Sequence, residues 1–267
     1  MNFMIESFNS IEDIQNLLIY FLIYSIGGWL LESIYKTIYE KKLVNSGFLY
    51  GPFCPIYGFG TIGIIIFISP FKGNHLSVIL LSFFIMSIWE YIVGVWLEKK
   101  YQTSYWDYSN YKFNINGKVC LRNSLFWAAL GWSFVEFLHP FIESNVTLLD
   151  SQIKIWIIII MYFGIFIDFE ISDRKVNGIN NNLIRLEELT ERIKEKVDDL
   201  KEIGEKSKDK YVQKVQDSIN ELKEKQIQLT ENIAKKMKRL NKAFPKMNSQ
   251  RIKKYLDILN ENIKIKK

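Results

Sequence analysis

Five apolar segments crowd the first two thirds of the chain, and they constrain its fold more than any other feature. A hydrocarbon core about 30 Å thick takes roughly 20 mostly apolar residues as helix. Candidate spans fall at 14–38, 55–69, 76–97, 123–141 and 153–169, the second of them short. They predict an all-α, polytopic membrane helix bundle of about five transmembrane helices.

Charge divides the 267 residues in two: residues 1–175 are net −2, residues 176–267 net +8. Membrane helices followed by a basic, water-facing helical tail explain this split. The expected domains are a short extracellular tail at 1–13, a five-span domain at 14–170 and a cytoplasmic helical tail at 176–267. Residues 1–15 hold no Lys or Arg, so the basic start of a signal peptide is missing, and the first apolar run reads as a retained span. Two cysteines, Cys54 and Cys120, imply no disulfide scaffold. The Ile-, Lys- and Asn-rich composition fits an AT-rich bacterial genome.

Positive charge alternates between the connections. The 1–2 connection has Lys36, Lys41 and Lys42; the 3–4 connection has Lys99, Lys100, Lys112, Lys118 and Arg122. The 2–3 and 4–5 connections have one lysine each, Lys72 and Lys154. The positive-inside rule then predicts a multi-pass plasma-membrane protein, N-terminus outside and C-terminus in the cytoplasm.

Carboxylates within apolar segments are costly, so each must pair, face a wet cavity or take up a proton. Glu32 lies six residues before the inner end of span 1, and Glu90 seven before that of span 3. At about 1.5 Å per residue both sit roughly 9–10 Å below the cytoplasmic boundary, so they can share one site. Arg122 is expected to reach toward it. Glu136 and His139, three apart, are expected to share a helix face near the outer side. Asp168 reads as an acid that reaches the interface or makes a static hydrogen bond.

Two connections are richer than linkers need to be. The first, EKKLVNSGFLYGPFCPIYGFG, contains a formal G-x-G-x-x-G at Gly58, Gly60 and Gly63. A dinucleotide site needs a preceding strand and water at the helix start, and here the glycines lead into IIIFIS. Gly60 and Gly63 read instead as positions where span 2 approaches a neighbouring helix. The second, YQTSYWDYSNYKFNINGKVCLRNS, has six aromatics and a turn signal at Asn116-Gly117. It is expected to lie at the membrane surface as an ordered re-entrant or interfacial segment. No C-x-x-C or histidine cluster supports a metal site, and no histidine is expected on the face of the cysteines to activate one. No metal, cofactor or enzymatic activity is expected.

Three blocks carry a family resemblance: Tyr24–Glu32, Asn45–Gly58, and Trp106–Ser109 with Phe113–Ser124. Over about Tyr20 to Phe141 the sequence resembles the ABC-transporter type IV permeases, the CmpB-like family. The resemblance implies a transport permease. Its blocks place Gly51, Pro52, Cys54, Pro55, Tyr57, Trp106, Asp107, Asn114 and Cys120 as loop-motif candidates. No G-x-x-x-x-G-K-[ST] occurs, so ATP hydrolysis through a P-loop would need a separate ATPase chain. The E-A-A-x-x-x-G loop by which many importer permeases grip their ATPase is also missing, which makes the two rich connections the docking candidates.

In the tail, an apolar 4-3 spacing runs from Ile179 to Leu200 and resumes in a new register from Val212 to Ile233. Two helices joined near 204–208 explain the shift, paired as a hairpin or between copies of the chain. Pro245 is expected to end the second helix, and SQRIKKYLDILNENIKIKK to form a basic amphipathic helix on anionic lipid. No base-reading motif supports a nucleic-acid partner. Two readings result: a permease-like subunit with a separate ATPase or other cytoplasmic partner, and a membrane scaffold or sensor acting through its coiled-coil tail.

Overall fold

The computed structural model describes residues 10–203 and 210–244. The C-terminal basic segment lies outside the described residues. The described residues divide into two compact units, one of residues 10–172 together with 242–244, the other of residues 173–203 and 210–241.

The first unit begins with α1, Ile11–Glu40, started by a capping box in which Asp13 N donates to Ser10 Oγ and Ser10 N to Asp13 Oδ2. A connection leads to α2, Pro55–Phe67, whose Pro55 sits in the first turn, where a missing N–H costs nothing. A 3-10 turn at Ser69–Phe71 precedes α3, His75–Tyr101. The second connection holds a two-stranded hairpin, β1 Asn114–Ile115 and β2 Val119–Cys120. Asn116 and Gly117 both have positive φ, 51° and 67°, and Lys118 N donates to Ile115 O, so the Asn-Gly pair makes a type I′ turn. Next come α4, Leu121–Ser133, a π-helical turn at Phe134–Leu138, and α5, His139–Val146. The π turn stands just before Pro140, which has no N–H to offer the Glu136 carbonyl four residues back.

Four helical stretches are long and apolar enough to cross a membrane: Ile11–Glu40, His75–Tyr101, Leu121–Val146 and the start of α6, Ser151–Ile203. Their large apolar side chains also point outward, Phe84, Phe126, Phe163 and Phe166 among them, which suits lipid and not water. The chain is an all-α membrane protein. The core under this surface joins Ile19, Phe21 and Tyr24 of α1 to Leu49 and Phe53 of the first connection and to Ile64, Met86 and Phe134.

α2 has 13 residues, about 20 Å of helix, less than the hydrocarbon thickness. Its start explains this. Cys54 N donates to Ser25 O at 2.9 Å, in the middle of α1, so the connection runs back along α1 before α2 begins. α1 and α2 approach closely. A Cβ on Gly28 would fall 2.2 Å from the Tyr57 ring, and one on Gly58 2.3 Å from Ser25 Oγ. Gly60 lies, as expected, against a neighbouring helix, where a Cβ would fall 3.0 Å from Met86 and 3.4 Å from Trp89 of α3; the expectation for Gly63 is corrected, since it has no neighbour within 4 Å.

The expected domains meet between residues 170 and 176, and α6 runs through that stretch as one helix, since no Pro interrupts ISDRKVNGIN. In the second unit, Val176, Ile179, Leu183 and Leu186 of α6 are buried, as are Ile219, Ile233, Met237 and Leu240 of α7, Lys210–Ala243. Gln226 Nε2 donates to Thr190 Oγ1 at 2.9 Å. Consecutive helices sharing that bond across so short a connection are antiparallel, so the seam closes as a hairpin within one chain. α7 ends at Ala243, two residues before Pro245.

Candidate functional site

Both α1 and α3 end in a left-handed residue, Lys41 (φ 53°) and Gln102 (φ 52°), after which the chain turns back along the helix it has just left. A polar stripe at four-residue spacing on α1 receives the first connection. Trp29 Nε1 donates to Asn45 Oδ1 at 2.7 Å, Ser33 Oγ accepts from Ser46 N, and Thr37 Oγ1 accepts from Val44 N. From the other side, Asp168 of α6 accepts from the amides of Tyr50 at 2.9 Å and Gly51 at 2.6 Å. Irregular backbone at membrane depth is tolerated only where protein satisfies it, and these bonds do so.

Glu32 stands at the centre of this grip. It accepts from Ser46 Oγ at 2.7 Å and from the Cys54 thiol at 3.7 Å, and Lys36 Nζ lies 3.6 Å away. Lys36 also donates to Ser46 Oγ at 2.7 Å. Burial, then the Glu32 charge, pushes the Cys54 thiol up, so it stays protonated and serves as a donor.

Glu90 is buried and accepts from three neutral donors: Asn123 Nδ2 at 2.7 and 2.8 Å, Trp127 Nε1 at 3.1 Å and Tyr108 OH at 3.2 Å. Burial and the Glu90 charge push the Tyr108 phenol up, which keeps it a donor. The second connection lies along α3 as the first lies along α1. Asn116 Nδ2 donates to Tyr91 OH, and Trp106 Nε1 to Lys118 O. Lys118, itself buried, pairs with Glu98 at 2.6 Å and donates to Ser104 Oγ.

Glu32 and Glu90 do not touch. Tyr57 packs against Gly28, four residues before Glu32 on α1, and its ring lies 6.1 Å from that of Trp127, which donates to Glu90. Glu32 is held by the connection that follows its helix, and Glu90 by Asn123 and Trp127 of α4 together with Tyr108 of the second connection. The arrangement repeats along the chain: a helix carrying an acid, a left-handed end, a returning connection, and a next helix whose N-cap is a cysteine, Cys54 for α2 and Cys120 for α4.

Other sequence candidates separate. Arg122 is not at these acids: its guanidinium stacks on the Tyr111 ring at 4.3 Å, because the first turn of α4 points it outward while Asn123, one residue on, faces Glu90. Glu136 and His139 do not share a face, since the π turn rotates one against the other. Glu136 accepts from Gly73 N at 3.1 Å and lies 3.3 Å from His75 Nδ1, while His139 shares a 2.9 Å hydrogen bond with Tyr24 OH. Asp107 and Asn114 shape the second connection: Asp107 accepts from Ser109 N, and Asn114 accepts from Gly117 N and donates to Tyr111 O. Pro52 is exposed, and Cys120 is buried. Among the described residues no group of three or more His, Cys, Asp or Glu could hold a metal ion.

Sequence reasoning missed Ser46 and Asn123 as partners of these elements; for Asp168 a static hydrogen bond was one expectation, but not its backbone partners. The 25-29-33-37 polar stripe within an apolar span was the signal that could have announced the returning connection.

Fold and site together define an α-helical membrane protein whose long connections return along their own helices to enclose two acids. The chain belongs to the family described as "Putative ABC-transporter type IV", whose model matches residues 19–172. The match ends at Ser172, the last residue of the first unit's long stretch, so the helical hairpin lies beyond it. No curated protein and no solved structure matches the chain.

Proposed function

We propose that the chain is the permease-like subunit of an ABC-type transport system, multi-pass in the plasma membrane, with its N-terminus outside and its C-terminus in the cytoplasm. Its ATPase is a separate chain, and the two returning connections form the face on which that partner docks. The observation that carries this reading is the pair of acids, each bonded to the connection that follows its own helix, Glu32 to Ser46 and Glu90 to Tyr108. A rigid, satisfied loop can transmit a push from a soluble partner to membrane helices, which a floppy loop cannot. The two helix–connection–helix units run the same way along the chain, and transporters use parallel repeats with polar sites at their junction. The family membership supports transport.

Glu32→Gln with Glu90→Gln tests it. Each amide would turn an N–H₂ toward groups that are already donors, at a cost of about 1.5–3 kcal/mol per charged acceptor. Recovery of a P-loop ATPase subunit cross-linked to the chain in native membranes should fall sharply, with the protein still folded in detergent. Equal recovery from parent and variant would sink the docking face.

The hairpin favours a second reading, a membrane scaffold or sensor acting through the tail, because it is a separate unit outside the family match. Deleting the tail distinguishes the two. Partners lost while membrane-domain activity survives support the scaffold; partners retained support the permease.

A further inference from the structure

We infer that the first unit carries a docking site for the end of α7, and that this end acts as a latch over the Glu32–Cys54 cluster. Lys242, Ala243 and Phe244 belong to that unit. Ala243 is fully buried there. Lys36 Nζ donates to the Ala243 carbonyl, and the same ammonium lies 5.0 Å from the centre of the Phe244 ring. Phe244 in turn meets the Tyr105 ring edge-on, with centroids 4.9 Å apart.

The chemistry of the site is specific. A helix C-terminus presents unpaired carbonyls and partial negative charge, which an ammonium satisfies. An aromatic residue just past that terminus adds a cation–π contact on one side and a T-shaped pair on the other. The site therefore fits a helix end followed by an aromatic ring, and Ala243–Phe244 supplies both.

Lys36 couples the latch to the cluster. Its ammonium reaches Ala243 and Phe244 on one side and Ser46 and Glu32 on the other. Ser46 and Glu32 hold the first connection in place, and Glu32 holds Cys54. With the end released, Lys36 loses two of its partners and the cover over Cys54 loosens. Residues Lys36 and Tyr105 lie on the two returning connections or the helix that bears them, so the latch occupies the face assigned above to a partner. That regulatory role, holding the partner off until the end lets go, rests on the permease reading; the latch itself does not.

The test uses the full-length chain in membrane vesicles, the variants Phe244→Ala and Phe244→Tyr, and N-ethylmaleimide. Alkylation of Cys54 and of Cys120 is followed by mass spectrometry in the same sample. Both thiols are buried, so Cys120 reports any general loosening. Loss of the ring contacts should raise the Cys54 rate about tenfold relative to Cys120, and Phe244→Tyr, which keeps the ring, should label at the parent rate. An unchanged Cys54 rate in Phe244→Ala overturns the latch, as does an equal rise at both cysteines. None of these readings involves an ATPase. Faster Cys54 labelling in a protein that recovers no ATPase therefore upholds the latch and sinks only the docking reading.

Discussion

Asp168 looks, in sequence, like an acid at the end of a span, and its partner lies 118 positions earlier in the chain. Both of its oxygens are used, each by a backbone amide of the first connection. No side-chain pattern announces such a bond, because a backbone N–H has no sequence signature. Gly51 leaves room at the same point, since a Cβ there would fall 3.0 Å from Asp168 Oδ2 and press on the carboxylate. Asp168→Ala should lower stability by about 1.5–3 kcal/mol, the range for hydrogen bonds to a charged acceptor, read as a denaturant midpoint in detergent. Gly51→Ala should lower it too, and the double variant should cost less than the two separate losses added together. Strict additivity would mean that the two residues do not share one contact. Glu32 and Glu90 were legible by depth alone, but their donors were not: Ser46 and Asn123 are ordinary polar residues until the chain turns back.

At the scale of elements, apolar runs marked the helices well and marked their ends poorly. α6 continues through the expected boundary because helix-compatible charged residues follow the last apolar turn. The π turn at Phe134–Leu138 was invisible to periodicity, and it separates Glu136 from His139. The Asn116-Gly117 turn was readable because its positive φ values demand those residues. In the hairpin, the 4-3 spacing gave the seam but left its pairing open, and the Gln226–Thr190 bond supplies the register. A buried polar pair sets register at some cost in stability. The register that pairs Thr190 with Gln226 puts Leu183 opposite Ile233. Thr190→Val with Gln226→Leu should leave the hairpin at least as stable while admitting a slip of one heptad. Engineered cysteines at Leu183 and Ile233 should cross-link in the parent, and a pair at Leu183 and Leu240 should cross-link in that variant as well. Cross-linking of the native pair alone in the variant would show that the apolar seam suffices.

For the whole molecule, the charge split and apolar runs gave the class: membrane helices first, a helical, water-facing part after them. The family match stops at Ser172, where the first unit's long stretch gives way to the second unit, so the membrane part and the hairpin are distinct both in sequence and in packing. What the sequence hid is depth. The first connection reads as a surface loop, since glycine, proline, serine and asparagine mark turns equally well in water or inside a bundle. It returns because α1 offers it bonds at Trp29, Ser33 and Thr37 and α6 offers Asp168. The central claim is that this connection is a built part of the membrane bundle, and hydrogen–deuterium exchange of the chain in lipid nanodiscs tests it most directly. The amides of residues 44–54 should exchange as slowly as those of α2, with Ser46, Gly51 and Cys54 among the most protected. Exchange of that stretch within seconds, as for a solvated loop, would contradict the account.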